Sequence, residues 1–194
     1  MVHATSTVMP VVESAAAANL PGVDRVHILD EGILRDLSRR GELTPDICGR
    51  FIDLVKLAYG PCPDIIFLTC SSFSELIPWA RRAFSVPILG PDEAMVEEVA
   101  AKWSHIGIVA SVPPAISSAR NQLKEEAKRI GRDVTIRPIL VEQAFLARKQ
   151  GDLALHDQLL VDAVLSNIRG LDGIMLCQFT MAHLTCVLEE KTEI

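Results

Sequence analysis

Short apolar runs alternate with helical patterns along the whole chain. The clearest switch is Asp64–Glu75, DIIFLTCSSFSE. Ile65, Ile66, Phe67 and Leu68 read as a buried strand, and a helical period starts after Thr69-Cys70. Ser72 and Glu75 have the S-x-x-E spacing of a capping box, which predicts Ser72 as the N-cap. Before this stretch the pattern gives a strand end at Met1–Thr5 and helix Val8–Asn19. Strand Arg25–Asp30, helix Glu31–Arg40 stopped by Gly41, and a helix to Tyr59 that opens on Thr44-Pro45 come next. After it come helix Ser72–Phe84, strand Val86–Leu89, a helix from Gly90-Pro91-Asp92 to Lys102, and strand His105–Ala110. A helix capped by Ser111 then runs to Ile130, followed by strand Val134–Leu140 and helices Glu142–Lys149 and Asp152–Arg169. Gly170–Leu176 forms the last strand and Thr180–Lys191 the last helix.

Strands that alternate with helices throughout predict an α/β fold with mainly parallel sheets. Ligands of such sheets bind beyond the carboxyl ends of the strands. Four of those ends carry hydroxyl, thiol or amide groups: Thr5-Ser6-Thr7, Cys70-Ser71-Ser72, Ser111, and Cys177-Gln178 with Thr180. Any one of them reads equally as an ordinary N-cap; together they describe a polar pocket ringed by helix starts. Cys70 stands where a strand hands over to a helix N-terminus, where unpaired N–H groups favour a thiolate and attract a carboxylate. The competing reading is a buried cysteine that serves as a small hydrophobe.

The chain also repeats itself. Asp64-Ile-Ile-Phe-Leu-Thr-Cys70 aligns with Asp172-Gly-Ile-Met-Leu-Cys-Gln178, so the partner of Cys70 is Gln178, and Cys177 matches Thr69. Successive side chains of a strand point to opposite faces, so this one-residue offset can turn the Cys177 thiol away from the site. The repeat predicts two similar lobes, residues 1–90 and 91–194. The second copy stops at Lys191–Ile194, where a strand matching Val86–Leu89 is expected, and the start is equally abrupt. A partner subunit in a homo-oligomer, or a chain shortened at both ends, would account for sheet edges left open in this way.

Composition narrows the function classes. With 49% hydrophobic and 23% charged residues the chain is expected to fold around a real core. A net charge of −6, with no basic run interleaved with aromatics, argues against nucleic acid. No apolar run spans a bilayer and no signal-like leader opens the chain, so a cytoplasmic protein without a membrane partner is expected. Five cysteines, Cys48, Cys62, Cys70, Cys177 and Cys186, are an odd number, and no pair has C-x-x-C spacing, so neither a disulfide framework nor a structural zinc site is expected.

Read in order, the motifs resemble the aspartate/glutamate/hydantoin racemase superfamily, which includes maleate isomerases and arylmalonate decarboxylases. They are Val2–Thr5 (VHAT), Leu68–Ser72 (LTCSS), Pro91–Met95 (PDEAM), Ile106–Ser111 (IGIVAS), Gly151-Asp152 and Leu176–Ala182 (LCQFTMA). The resemblance implies two α/β lobes with pseudo-twofold symmetry, an active-site cleft between them, and no metal or pyridoxal phosphate. It implies a cofactor-independent racemase or isomerase working at the α-carbon of a small carboxylate, such as an amino acid or a hydantoin. Cys70 would be the catalytic thiolate, with Cys177 the candidate second thiol. Thr5, Ser71, Ser72, Ser111, Gln178 and Thr180 would bind substrate. The family's second cysteine lies three residues before a Met; here Gln178 has that spacing to Met181 and Cys177 lies four before it. Two readings follow. Either Cys177 reaches the cleft by a local shift, or the site holds one thiol and a glutamine. The second suits a decarboxylase, a cis–trans isomerase acting through thiolate addition, or a non-catalytic carboxylate-binding relative. His183, five residues after Gln178, is read as a packed or surface histidine.

Overall fold

The computed structural model describes residues 1–192. The chain divides into two compact units, the first Met1–Pro91 and the second beginning at Asp92.

In the first unit, strand β1 (Val2–His3) runs parallel to β2 (Ile28–Leu29). Strand β3 (Ile66–Phe67) runs parallel to β4 (Ile88–Leu89). A parallel bridge, Val2 to Leu68, joins the two pairs, so the order is β2-β1-β3-β4. Helices α1 (Met9–Asn19), α2 (Glu31–Arg40), α3 (Pro45–Tyr59) and α4 (Ile77–Ala83) connect them. Gly41 ends α2 in the left-handed region, φ 75°, where a side chain would be strained. Asp30 caps the same helix through Gly32 N and also pairs with Arg50, which reaches Asp36 as well. The core gathers Val2, Ala4, Ile33, Phe51, Val55, Leu68 and Phe73, with Cys70 partly buried against it.

The second unit holds a three-stranded parallel sheet in the order β6-β5-β7. The strands are β5 (His105–Ala110), β6 (Thr135–Leu140) and β7 (Gly173–Leu176). Helices α5 (Glu93–Lys102), α6 (Pro113–Arg129), α7 (Glu142–Lys149), α8 (Leu153–Asn167) and α9 (Thr185–Thr192) complete it. One core cluster sets Ile106, Ile108, Met175 and Cys177 against α5 and α6; another sets Val109, Ile174 and Leu176 against α8 and α9. Asp172 accepts bonds from the N–H groups of Ser104 and His105 at 2.8 and 2.7 Å, fixing where β7 enters the sheet. The strand expected to match β4 would begin at the last four residues, of which Glu193 and Ile194 lie outside the described residues.

Two expected helix starts are corrected. Ser72 is not an N-cap: residues Ser71–Leu76 form a 3-10 helix with Cys70 at its cap, and the regular helix starts only at Ile77. The reason is Pro78. Deep inside a helix started at Ser72 it would clash with a preceding carbonyl and remove a hydrogen bond, whereas in the first turn of α4 it does neither. Ser111 does not cap α6 either; that helix begins at Pro113 with Val112 at the cap. With Ser111 as the cap, positions N2 and N3 would be Pro113 and Pro114, neither of which has an N–H for the hydroxyl to accept from. Likewise the expected helix Thr180–Lys191 begins as a 3-10 helix, Phe179–Leu184, before α9. Among the described residues, no helix is long and apolar enough to cross a membrane.

Candidate functional site

The repeat seen in the sequence is carried into the backbone. Cys70 and Gln178 each cap a six-residue 3-10 helix from an extended conformation, with φ −127° and −146°. One residue earlier, Thr69 N donates to Val2 O at 3.1 Å and Cys177 N donates to Val109 O at 2.9 Å. Thr69 and Cys177 are therefore equivalent, as are Cys70 and Gln178, and as are Ala4 and Ser111 on the neighbouring strand.

In the first unit the ends of β1 and β3 bring Thr5 and Cys70 to the same edge of the sheet. Thr5 caps a short 3-10 turn, Ser6–Val8, accepting from Thr7 N. Ser71 and Ser72 are buried in the 3-10 helix after Cys70. Cys70 itself is half-buried. It lines a cavity with His3, Ala4, Leu68 and Phe73, whose ring stacks on Phe51 at 5.8 Å.

In the second unit Ser111 and Gln178 are joined. Backbone N–H and hydroxyl of Ser111 both donate to Gln178 Oε1, at 2.6 and 2.9 Å. This leaves the Gln178 amide N–H₂ as the donating end of the group. Thr180 is half-buried in the following 3-10 helix. Cys177 points the other way, into the α5/α6 core, 1% exposed, with its Sγ 3.4 Å from Met175 O. Burial drives its thiol far up from the ordinary range, with the nearby Asp92 charge adding to the effect.

Three groups near these elements went unread in the sequence. Asp92 is buried, with Gln122 Nε2 3.4 Å away, and burial pushes its carboxyl up to about 6. His3, 1% exposed, bonds through Nδ1 to Thr69 Oγ1 and through Nε2 to His27 Nδ1, both at 2.8 Å. Asp157 lies between His156, fully buried, and His183, exposed, at 2.7 and 2.9 Å, tying the 3-10 helix after Gln178 to α8. Burial alone would raise the Asp157 carboxyl, but these bonds outweigh it and hold it low. The available signals were local: His3 lies in β1 and His27 directly precedes β2, which pairs with it, and Asp92 is the second residue of the PDEAM motif.

The Asp92 geometry carries a stability prediction. Its folded value lies above the unfolded 3.8, so the native state binds more protons between about pH 4 and 6 and stability falls as pH rises through that window. Above it the full cost of burying the charge is present, on the order of 3 kcal/mol. Asp92→Asn is expected to raise resistance to urea at pH 7.5 and to lose that advantage at pH 4. An equal gain at both pH values would show that the Asp92 charge is not the cause.

The family model described as Asp/Glu/Hydantoin racemase matches residues 2–194. Among curated proteins no match is found. Solved structures share the fold at low identity. Aspartate racemase from Picrophilus torridus superposes with a TM-score of 0.69 at 12% identity, over 100% of this chain and 84% of that one. Glutamate racemase isoform RacE1 from Bacillus anthracis gives 0.70 at 16% identity, over 98% and 71%. Allantoin racemase from Klebsiella pneumoniae gives 0.68 at 14% identity, over 100% and 78%.

Proposed function

The chain belongs to the Asp/Glu/Hydantoin racemase family, and from that membership we propose that it is an isomerase of small carboxylates, with the Cys70 thiolate as the base at the α-carbon. The observation that carries this reading is the place of Cys70: half-buried, at the carboxyl end of a parallel strand, inside the LTCSS motif. An α-proton beside a carboxylate is weakly acidic, so the base must be partly desolvated and the enediolate charge must meet preorganised donors. Ser71, Ser72 and Thr5 in the first unit, and Ser111, Gln178 and Thr180 in the second, are the proposed substrate-binding groups. Gln178, with its carbonyl occupied by Ser111, presents N–H donors suited to a carboxylate or carbonyl oxygen. The test is exchange. In D₂O the protein is expected to wash deuterium into the α-position of at least one member of a panel of amino acids, hydantoins and hydroxy acids, with change of configuration. Absence of exchange across the panel would overturn the reading.

A second reading rests on one observation, the burial of Cys177 beside a half-buried Gln178. A site with one thiol suits decarboxylation, which needs a single protonating acid, or cis–trans isomerisation through reversible thiolate addition. Carbon dioxide release from disubstituted malonates, or isomerisation of a cis-enedioate without α-exchange, would select it.

A further inference from the structure

Thr69 is held by a chain of hydrogen bonds that runs from the end of β3 out to the surface. Thr69 Oγ1 meets His3 Nδ1 at 2.8 Å, His3 Nε2 meets His27 Nδ1 at 2.8 Å, and His27 Nε2 meets Glu13 Oε2 at 3.1 Å. The two imidazole planes lie within 13° of each other, centroids 5.1 Å apart. Arg25 clamps the Glu13 carboxylate through Nε and Nη2. Thr69 Oγ1 has a second neighbour, Val2 O, at 3.1 Å.

That second neighbour gives the chain two complete arrangements that differ by one proton. In the first, both imidazoles are neutral. The Thr69 hydroxyl donates to His3 Nδ1, His3 Nε2–H donates to His27 Nδ1, and His27 Nε2–H donates to Glu13. In the second, one proton has been added, two hydrogen bonds have reversed and the Thr69 hydroxyl has turned. His27 is an imidazolium against Glu13 and donates from Nδ1 to His3 Nε2. His3 carries its proton on Nδ1 and donates to Thr69, whose hydroxyl now donates to Val2 O. Every polar atom is satisfied in both, so neither arrangement leaves a buried orphan.

The geometry points to Thr69, His3, His27 and Glu13 as a positioning relay that ties the charge on His27 to the direction of the hydroxyl on Thr69, the residue that precedes Cys70. The coupling rests on reading Cys70 as the reactive thiol. Thr69 is its backbone neighbour, and His3 lines the same cavity as Cys70. The second arrangement places the added proton on His27 because its Nε2 faces Glu13 Oε2. Burial, then His27 and the Met1 amino group, hold His3 down to about 4, while His27 faces the Glu13 carboxylate. The groups that act on the relay are thus Glu13, Arg25 and the Met1 amino group, with Asp24 acting on Arg25.

Nitrogen-15 NMR of the histidine-labelled full chain tests the relay without any substrate. As pH is lowered, double protonation of His27 is expected to coincide with exchange of the His3 proton from Nε2–H to Nδ1–H, His3 itself staying neutral. A His3 tautomer that does not move with His27 would overturn the proposal. The second readout is the rate of iodoacetamide labelling at Cys70, resolved by peptide mass. Wild type should show a step of about threefold at the pH of the tautomer change, absent in His27→Gln and in the surface variant Glu13→Gln. A step that survives in both variants would overturn the coupling to Cys70. Neither readout depends on turnover, so a failed relay and a failed isomerase reading are told apart.

Discussion

Cys70→Ser is expected to reduce α-proton exchange by about 10³-fold or more while leaving the fold and its melting temperature nearly unchanged. A positioned general base accounts for roughly 10²–10⁴ in rate, and a serine hydroxyl at neutral pH is not a usable base without a partner to activate it. The substitution is nearly isosteric at a half-buried position, so little packing is lost. Cys177→Ala separates the one-thiol and two-thiol sites. Cys177 lies in the α5/α6 core, 1% exposed, and its thiol is held protonated by burial. In a one-thiol site its loss changes exchange by less than about tenfold and appears instead as lost stability of about 1 kcal/mol. In a two-thiol site Cys177→Ala abolishes racemisation but leaves exchange from the enantiomer that Cys70 deprotonates. Measuring exchange separately for each enantiomer therefore decides between them. Full activity in Cys70→Ser would remove Cys70 from the mechanism altogether.

Features written in a few adjacent residues were legible. Gly41 ends α2, Pro45 opens α3, and HIGIVA is β5, because a left-handed stop, a first-turn proline and an apolar run are local decisions. The equivalence of Cys70 and Gln178 was legible too, since the Asp-led repeat fixes the count along each strand. The helix start after Cys70 was misread because the capping-box spacing was weighed and Pro78 was not. Ser111 was misread for the same kind of reason: its cap pattern ignored the two prolines that follow. The relay and the Ser111–Gln178 pair could not be read at all. They join residues 66 and 67 positions apart, or cross from α1 to β2 to β1; the pairing of β1 with both β2 and β3 brings the relay side chains together, and the pairing of β5 with β7 joins Ser111 to Gln178.

The two copies of the repeat differ at Gly173, and the difference is testable. Gly173 aligns with Ile65, which is 49% exposed, so the repeat alone says the position tolerates a β-branched side chain. In the second unit Trp103 covers it. A Cβ on Gly173 would lie 2.3 Å from Cε2 and Cζ2 of the indole, well inside contact distance. The obstacle is the body of a rigid ring, so either Trp103 leaves its place or β7 moves away from β5, where Gly173 pairs with Ile106. Gly107→Ala is the control. There a Cβ would meet Ile174 Cδ1 at 2.5 Å and Leu171 Cδ1 at 2.7 Å, and both are ends of flexible side chains that can rotate aside. Gly173→Ala is therefore expected to cost about 3 kcal/mol, or roughly 6–12 °C in Tm, and Gly107→Ala clearly less. Trp103→Leu combined with Gly173→Ala should be less than additive, because the smaller side chain removes the clash that the alanine creates. Strict additivity in thermal or urea unfolding would mean that the indole is not what excludes a side chain from the start of β7. Gly173→Ala should also reach the candidate site. Gln178 continues the chain from β7, and displacing the strand pulls its carbonyl away from the two Ser111 donors.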